Sequence, residues 1–203
     1  MTTHFEDFDP ATQMKIGTDC EFGEQYGRVS LTMPTLCALT PLHSKYGINE
    51  NFGQNGKFPL EVNISSSAAT KLRLMEDKIK ETFAAHSRTW FQGKDKTSSY
   101  TFSPLVKDTD DGQVLKLKVK DGTNLYLLTE DGKAIQKSAT CTFAHVNRTC
   151  TVVPFVQSYS MWIDTKNHFF GVTLTAKILL VHPGLDEDPV ESMLLKSGYV
   201  YAE

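Results

Sequence analysis

Period-two alternation recurs on both sides of a single stretch of helical period, and that pattern confines the chain to a mainly β fold with one helix. From Phe170 to Val181, Val172, Leu174, Ala176, Ile178 and Leu180 alternate with Thr173, Thr175, Lys177 and Leu179. Arg28 to Met33 sets Val29, Leu31 and Met33 against Arg28, Ser30 and Thr32, and Val114 to Lys120 alternates aliphatic residues with lysines. Further strands are predicted over Phe58 to Ile64, Thr151 to Tyr159 and Met161 to Asp164. The Asp121-Gly122 and Asp131-Gly132 turn dipeptides predict a meander through Asn124 to Thr129, and the Gly/Asn-rich stretch from Gly47 to Gly56 an exposed excursion. From about Ser67 to His86 the period changes: Leu72, Met75, Ile79 and Phe83 form a stripe, with Arg73, Glu76, Asp77, Lys80 and Glu81 outside it and Ser66 or Ser67 as cap. Thr89 to Gln92 and Ser99 to Ser103 then read as strands again. The expected architecture is an OB-type antiparallel barrel with enlarged loops and one mid-chain amphipathic helix covering a side or end of the sheet.

A chain of 203 residues, 40% hydrophobic and 22% charged, has the composition of a folded protein rather than a disordered one. Its longest apolar runs, such as Ile178 to Val181, are too short to span a bilayer, and its first residues lack a basic and apolar leader. No membrane association and an intracellular location are therefore expected. Cys20, Cys37, Cys141 and Cys150 form no CxxC pair, so reduced, buried thiols are expected rather than zinc ligands or disulfides. In that setting the sequons at Asn63 and Asn147 read as chance matches.

The formal net charge of −3 is unevenly distributed. Residues 1–27 carry six acids against Lys15, and residues 185–203 carry five acids against Lys196; the body, residues 28–184, is left with 19 basic and 13 acidic residues. Three parts are expected: an acidic N-terminal segment (1–27), an OB-fold nucleic-acid-binding domain (28–184) and an acidic C-terminal tail (185–203). A basic body attracts polyanions, and acidic ends compete for the same surface.

Enzyme signatures are missing: the sequence holds no GxSxG, HExxH, Walker A, GxGxxG or calcium-loop pattern. Its six histidines are scattered, and Asp108, Asp110 and Asp111 read as a hairpin loop rather than a metal site. Cys141 and His145 are four apart with no helix expected beneath them, a poor nucleophile and base pair. No enzymatic activity, cofactor or metal is expected.

What remains is a set of aromatic residues interleaved with basic ones, the composition that binding of single-stranded nucleic acid requires: rings stack on bases while cations neutralise phosphates. The candidates are Trp90 and Phe91 beside Lys94 and Lys96, Tyr100 and Phe102 before Lys107, and Trp162 with Lys166, His168, Phe169 and Phe170. Lys116, Lys118 and Lys120 share one strand face and make a track for a phosphate backbone. Neighbours on a strand point to opposite faces, so only one of Trp90 and Phe91, and one of Phe169 and Phe170, can line a groove while the other packs inside.

The ordered motifs resemble those of the single-stranded DNA-binding proteins of large eukaryotic DNA viruses, similar in fold to OB-fold replication proteins of some phages. Val29 to Pro34 followed by Lys45 to Ile48, Phe58 to Ser65 before the helix, Trp90-Phe91 with Lys94 and Lys96, Tyr100 to Lys107, and Trp162 to Leu174 carry the resemblance in that order. It implies an OB-type barrel and sequence-tolerant coating of unpaired DNA during viral replication and recombination, in the host nucleus or a cytoplasmic replication site. The matching positions are Trp90, Phe91, Lys94, Lys107, Trp162 and Phe170. Single-stranded DNA is the implied partner, with homo-oligomers and replication proteins recruited by the acidic tail as further ones. The tail departs from the phage pattern, because Asp186 to Asp188 is followed by Met193 to Leu195 and the chain ends Tyr-Ala-Glu. The competing expectation is a viral structural or scaffolding β-protein acting through self-association.

Overall fold

The computed structural model describes residues 2–48, 56–128, 143–147 and 149–182. The N-terminal part runs β1 (Thr2–His4), a 3-10 turn (Phe5–Asp7), α1 (Pro10–Gln13), β2 (Lys15–Phe22), β3 (Tyr26–Thr32), β4 (Thr35–Cys37), β5 (Leu42–His43) and β6 (Lys57–Ile64). After the long helix α2 (Ser66–Trp90) come β7 (Thr101–Ser103), β8 (Val106–Thr109), β9 (Gly112–Lys120), β10 (Asn124–Leu127), β11 (Thr151–Gln157), β12 (Ser160–Asp164), β13 (Phe169–Val172) and β14 (Thr175–His182). This is the mainly β, strands–helix–strands arrangement of the OB-type class expected from the sequence.

Two sheets share the strands. One follows the order β1-β4-β11-β14-β9-β6, with β5, β8 and β10 attached at its sides, and the other the order β2-β3-β12-β13-β7. Most strand pairs are antiparallel as expected, while β1/β4, β10/β14, β13/β7 and β14/β9 pair in parallel. The Asp121-Gly122 turn forms, with Gly122 at φ +82°, yet the chain beyond it does not fold back on β9; β10 aligns beside β14, Leu125 facing Leu179. Burying Leu125 against the non-local strand overrides the local hairpin signal. The second turn dipeptide of the expected meander, Asp131-Gly132, and most of the Gly47 to Gly56 excursion lie outside the described residues.

The helix begins where Ser65 Oγ accepts the Ala68 N–H, and its buried face continues Leu72, Met75, Ile79 and Phe83 through Ser87 to Trp90. In place of the strand expected over Thr89 to Gln92, Thr89 and Trp90 end the helix, Phe91 caps it and Gln92 lies in the turn beyond. The helix stops where Gln92 (φ 54°) and Gly93 (φ +86°) turn left-handed, the Gly93 N–H donating to Arg88 O. Glu76, expected outside the stripe, is buried instead: its Oε1 accepts the N–H groups of Leu105 and Val106 at 2.6 and 3.1 Å, pinning the start of β8 to the helix.

Phe5, Phe8 and Met14 are almost fully enclosed in the same core as Leu36, Leu60, Leu72 and Leu117, so residues 2–22 pack with the body despite their acidic composition. Lys78 fastens this segment to the helix, its Nζ donating to the carbonyls of Pro10, Ala11 and Met14 at 2.6, 3.2 and 2.6 Å. Lys78→Met keeps the aliphatic stem and removes three charge-assisted bonds, for an expected loss of about 2 kcal/mol. In thermal unfolding that is a fall in Tm of roughly 4–8 °C for a domain of this size, and an unchanged Tm would show the clamp to be idle.

Candidate nucleic-acid interface

The second sheet buries one face and leaves the other open. Gly27, Val29 and Leu31 of β3, Met161 and Ile163 of β12, and Phe170 of β13 point inward. By strand alternation Tyr26 and Arg28, Trp162 and Asp164, and Phe169 and Gly171 share the outer face. Register places them in two rows, Tyr26–Asp164–Phe169 and Arg28–Trp162–Gly171. Tyr26 is 53% exposed and Phe169 42%.

The Trp162 ring is held in place from two sides. Its Nε1 donates to Thr173 Oγ1 at 3.1 Å, and a side chain at Gly171 would meet Trp162 Cζ2 at 3.1 Å, so the missing Cβ is what lets the indole lie against β13. Asp164 between the aromatic residues accepts the N–H groups of Lys166 and Asn167 at Oδ1 and the Asn167 amide at Oδ2. Those bonds, the Asn167 N–H first, hold its carboxyl below the usual carboxylate range.

Facing this surface is a wall of the first sheet. Where β7 leads into β8 and β13 into β14, the outer faces meet in a groove of about 740 Å³, with Ser103, Pro104, Leu105, Val172 and Thr173 at the junction. Lys57, Phe58 and Pro59 of β6 and Lys116 and Lys118 of β9 line one side, and Tyr26, Arg28, Trp162 and Asp164 the other. Lys120 lies two residues beyond Lys118 on the same strand face, opposite Lys57 in the register. Burial and the repulsion of Lys57, Lys120 and Lys116 press the Lys118 ammonium below its ordinary pKa. Among the described residues the ion pairs within 4 Å are Lys45–Asp111, Arg73–Asp108 and Lys80–Asp77, and none involves a cation of the groove. Glu61 stands opposite Lys116 and Glu21 opposite Arg28 in the register, and Asp164 lines the groove, yet among the described residues none of them is within ion-pair distance of these cations, which leaves a cluster of positive charge to attract an incoming anion.

The expected site residues fall into three groups. Trp162, Lys116 and Lys118 line the groove, with Lys120 and Phe169 at its margins. Phe91, Tyr100, Lys94, Lys96 and Lys166 gather at the end of the second sheet near the helix C-terminus; Phe91 and Tyr100 are half-buried with ring centroids 5.2 Å apart, Lys96 is half-buried, and Lys94 and Lys166 are exposed. Trp90, Phe102, Phe170 and Lys107 lie elsewhere. Trp90 is buried with Nε1 donating to Thr18 O at 2.7 Å, and Phe170 is stacked on Phe83 at 3.9 Å. Phe102 packs against Phe170 beneath the Lys80 ammonium, and Lys107 is exposed on β8, outside the groove lining. Tyr26, Arg28, Lys57 and Phe58 were not singled out by the sequence, although the alternation of β3 already puts Arg28 on the polar face.

No group of three or more potential metal ligands occurs among the described residues. Asp108 and Asp111 pair with Arg73 and Lys45. Cys37 and Cys150 are buried and Cys20 half-buried, with burial pushing the Cys20 and Cys150 thiols up to about 11; Cys141 lies outside the described residues. No described helix is long and apolar enough to cross a membrane.

No protein-family model and no curated protein matches the chain. Among solved structures it is similar to gp2.5, a single-stranded DNA-binding protein encoded by bacteriophage T7, at 13% identity and a TM-score of 0.49, over 82% of this chain and 97% of that one. It is also similar to the single-stranded DNA-binding protein of bacteriophage Enc34, at 11% identity and a TM-score of 0.40, over 90% and 99%. The Enc34 protein in complex with single-stranded DNA aligns at 11% identity and a TM-score of 0.37, over 84% and 96%.

Proposed function

We propose that this chain binds single-stranded DNA with little sequence preference in the groove between its two sheets, coating and protecting unpaired DNA during viral replication and recombination. The observation that carries this reading is the juxtaposition of a lysine-rich wall with an open sheet face bearing Tyr26, Trp162 and Phe169. Phosphates run along Lys57, Lys116, Lys118 and Lys120, and bases turn toward the aromatic face. The charged Asp164 enforces that orientation by repelling phosphate from the aromatic side. A duplex hides its base faces in the stack and offers this surface nothing to stack on, so the groove selects unpaired strands. Flat rings accept any base, which makes the binding tolerant of sequence. The chain acts here as a binding protein without catalysis, inside the cell where viral DNA is copied.

Fluorescence-anisotropy titration of labelled oligo-dT and a matched duplex across a salt series tests the reading. Five cations lie in or beside the groove: Arg28, Lys57, Lys116, Lys118 and Lys120. With about 0.7 counterions released per neutralised phosphate, the logarithm of affinity should fall against log salt with a slope of about −3.5. Preference for oligo-dT at every salt concentration is expected. Absence of binding at low salt, or equal affinity for the duplex, would sink the proposal and bring forward the self-associating structural protein.

A further inference from the structure

The cluster at the end of the second sheet gives the groove a continuation. The C-terminal ends of β2 and β12 and the N-terminal ends of β3, β7 and β13 converge there, since Asp164 pairs with both Tyr26 and Phe169, and Phe169 with Thr101. Helix α2 ends at the same place, bringing Phe91 beside Tyr100. A chain of rings results: His168 lies 5.1 Å from Tyr100, Tyr100 5.2 Å from Phe91, and Phe91 5.4 Å from Phe22, centroid to centroid. It starts next to Phe169, the outermost aromatic residue of the groove face, and ends on Phe22, which is 42% exposed.

The His168 end of this chain is fixed by the backbone. His168 adopts φ 59°, a left-handed conformation that non-glycine residues seldom take, while its carbonyl accepts the Thr101 N–H at 2.8 Å. The turn is thereby tied to β7 with the imidazole exposed at the rim. Charge accompanies the rings: Lys166 sits in the same turn, and Lys94 and Lys96 follow Phe91, none of them in an ion pair among the described residues. Glu21 and Glu24, at the tip between β2 and β3, carry the opposite charge and end the cationic track at Phe22.

We infer that a single strand longer than the groove turns around this end of the second sheet and lies on the ledge of His168, Tyr100, Phe91 and Phe22, its phosphates held by Lys166, Lys94 and Lys96. The inference rests on the groove being the primary single-strand site and names a second, length-dependent segment of it. Two segments joined by one strand reinforce each other, because once the groove is filled the ledge meets its nucleotides at high effective concentration. Binding therefore strengthens when an oligonucleotide becomes long enough to reach the ledge, and that increment belongs to the ledge cations.

The test compares oligo-dT of about 6 and about 20 nucleotides, one near the short end and one beyond the long end of the roughly 4–16 nucleotides that such barrels occupy. The Lys94→Glu/Lys166→Glu double variant changes two exposed side chains, and its unaltered Tm should confirm folding. Its affinity for the short oligonucleotide should stay within about twofold of wild type, while affinity for the long one falls at least about tenfold, with a shallower salt slope for the long oligonucleotide alone. Equal losses at both lengths, or none at either, would overturn the ledge and leave the groove standing. If the wild-type chain binds neither length, the groove reading fails and the ledge with it.

Discussion

Reversing both Lys116 and Lys118 to glutamate should lower affinity for oligo-dT by about 100-fold or more at low salt, because each reversal replaces an attraction of roughly 1 kcal/mol per phosphate with a repulsion of similar size. The salt slope should fall by at least about 1.4, two phosphate contacts at about 0.7 each. Lys118→Gln alone should melt no lower than wild type, whereas Lys116→Glu sets a second carboxylate opposite Glu61 and should cost a few tenths of a kcal/mol, up to about 1. Lys116 is exposed and Lys118 half-buried on an outer strand face, and Lys118 is pressed by Lys57, Lys116 and Lys120 to a pKa below its ordinary value. A lysine whose folded pKa is depressed destabilises the fold while it is charged, so this cost is present at neutral pH and is relieved as pH rises through the folded pKa. Substitution relieves it at any pH. At Lys118 affinity and stability thus move in different directions, a pattern that marks a residue held against the interest of the fold for the sake of a ligand. A drop in affinity accompanied by a matching drop in Tm in Lys118→Gln would mean that this lysine supports the sheet instead. An undiminished affinity would place the phosphates elsewhere.

Much of the fold was readable because it is written in local periods. The alternation of β3, β9 and β12 fixes which side chains face the core, and the Phe169/Phe170 pair divides as the parity argument requires, Phe169 exposed and Phe170 stacked on Phe83. In β14 the expected parity fails: the register shifts at Lys177, so that Leu179 and Val181 are buried where Ile178 and Leu180 were expected, and these two are half-buried. The end of the helix was misplaced for want of a stop signal near His86, yet Trp90 continues the three- and four-residue steps of Phe83 and Ser87, so its burial was legible in the same stripe. The site was harder to read. Lys116 and Lys118 come to face Trp162 only because β9 runs parallel to β14 in one sheet while β13, one short bend earlier, pairs with β12 in the other. Such non-local pairing is chosen by the burial of whole strand faces and leaves no mark in any single segment. Tyr26, Arg28 and Lys57 were missed for that reason: each is an ordinary polar-face residue until the second sheet is set against the first.

The two tryptophans separate binding from folding. Trp162→Ala should weaken oligo-dT binding by about 5- to 150-fold, the equivalent of the roughly 1–3 kcal/mol that stacking one base supplies, and leave the salt slope unchanged because no phosphate contact is lost. Its Tm should move little, since the indole is half-buried and its hydrogen bond runs to another outer-face side chain, Thr173. Trp90→Ala should do the reverse. That ring is enclosed between the helix and the core, edge-on to Phe83, stacked on His86 and hydrogen-bonded to Thr18 O, so its truncation opens a cavity and removes that bond, at a cost of about 3–5 kcal/mol. The surviving folded fraction should bind as wild type. The chain holds only these two tryptophans, so fluorescence provides an independent readout. Quenching by oligo-dT should persist in Trp90→Phe, where Trp162 is the sole emitter, and vanish in Trp162→Ala. Quenching confined instead to the emission of Trp90, with Trp162→Ala binding as tightly as wild type, would remove the open face of the second sheet from the binding surface altogether.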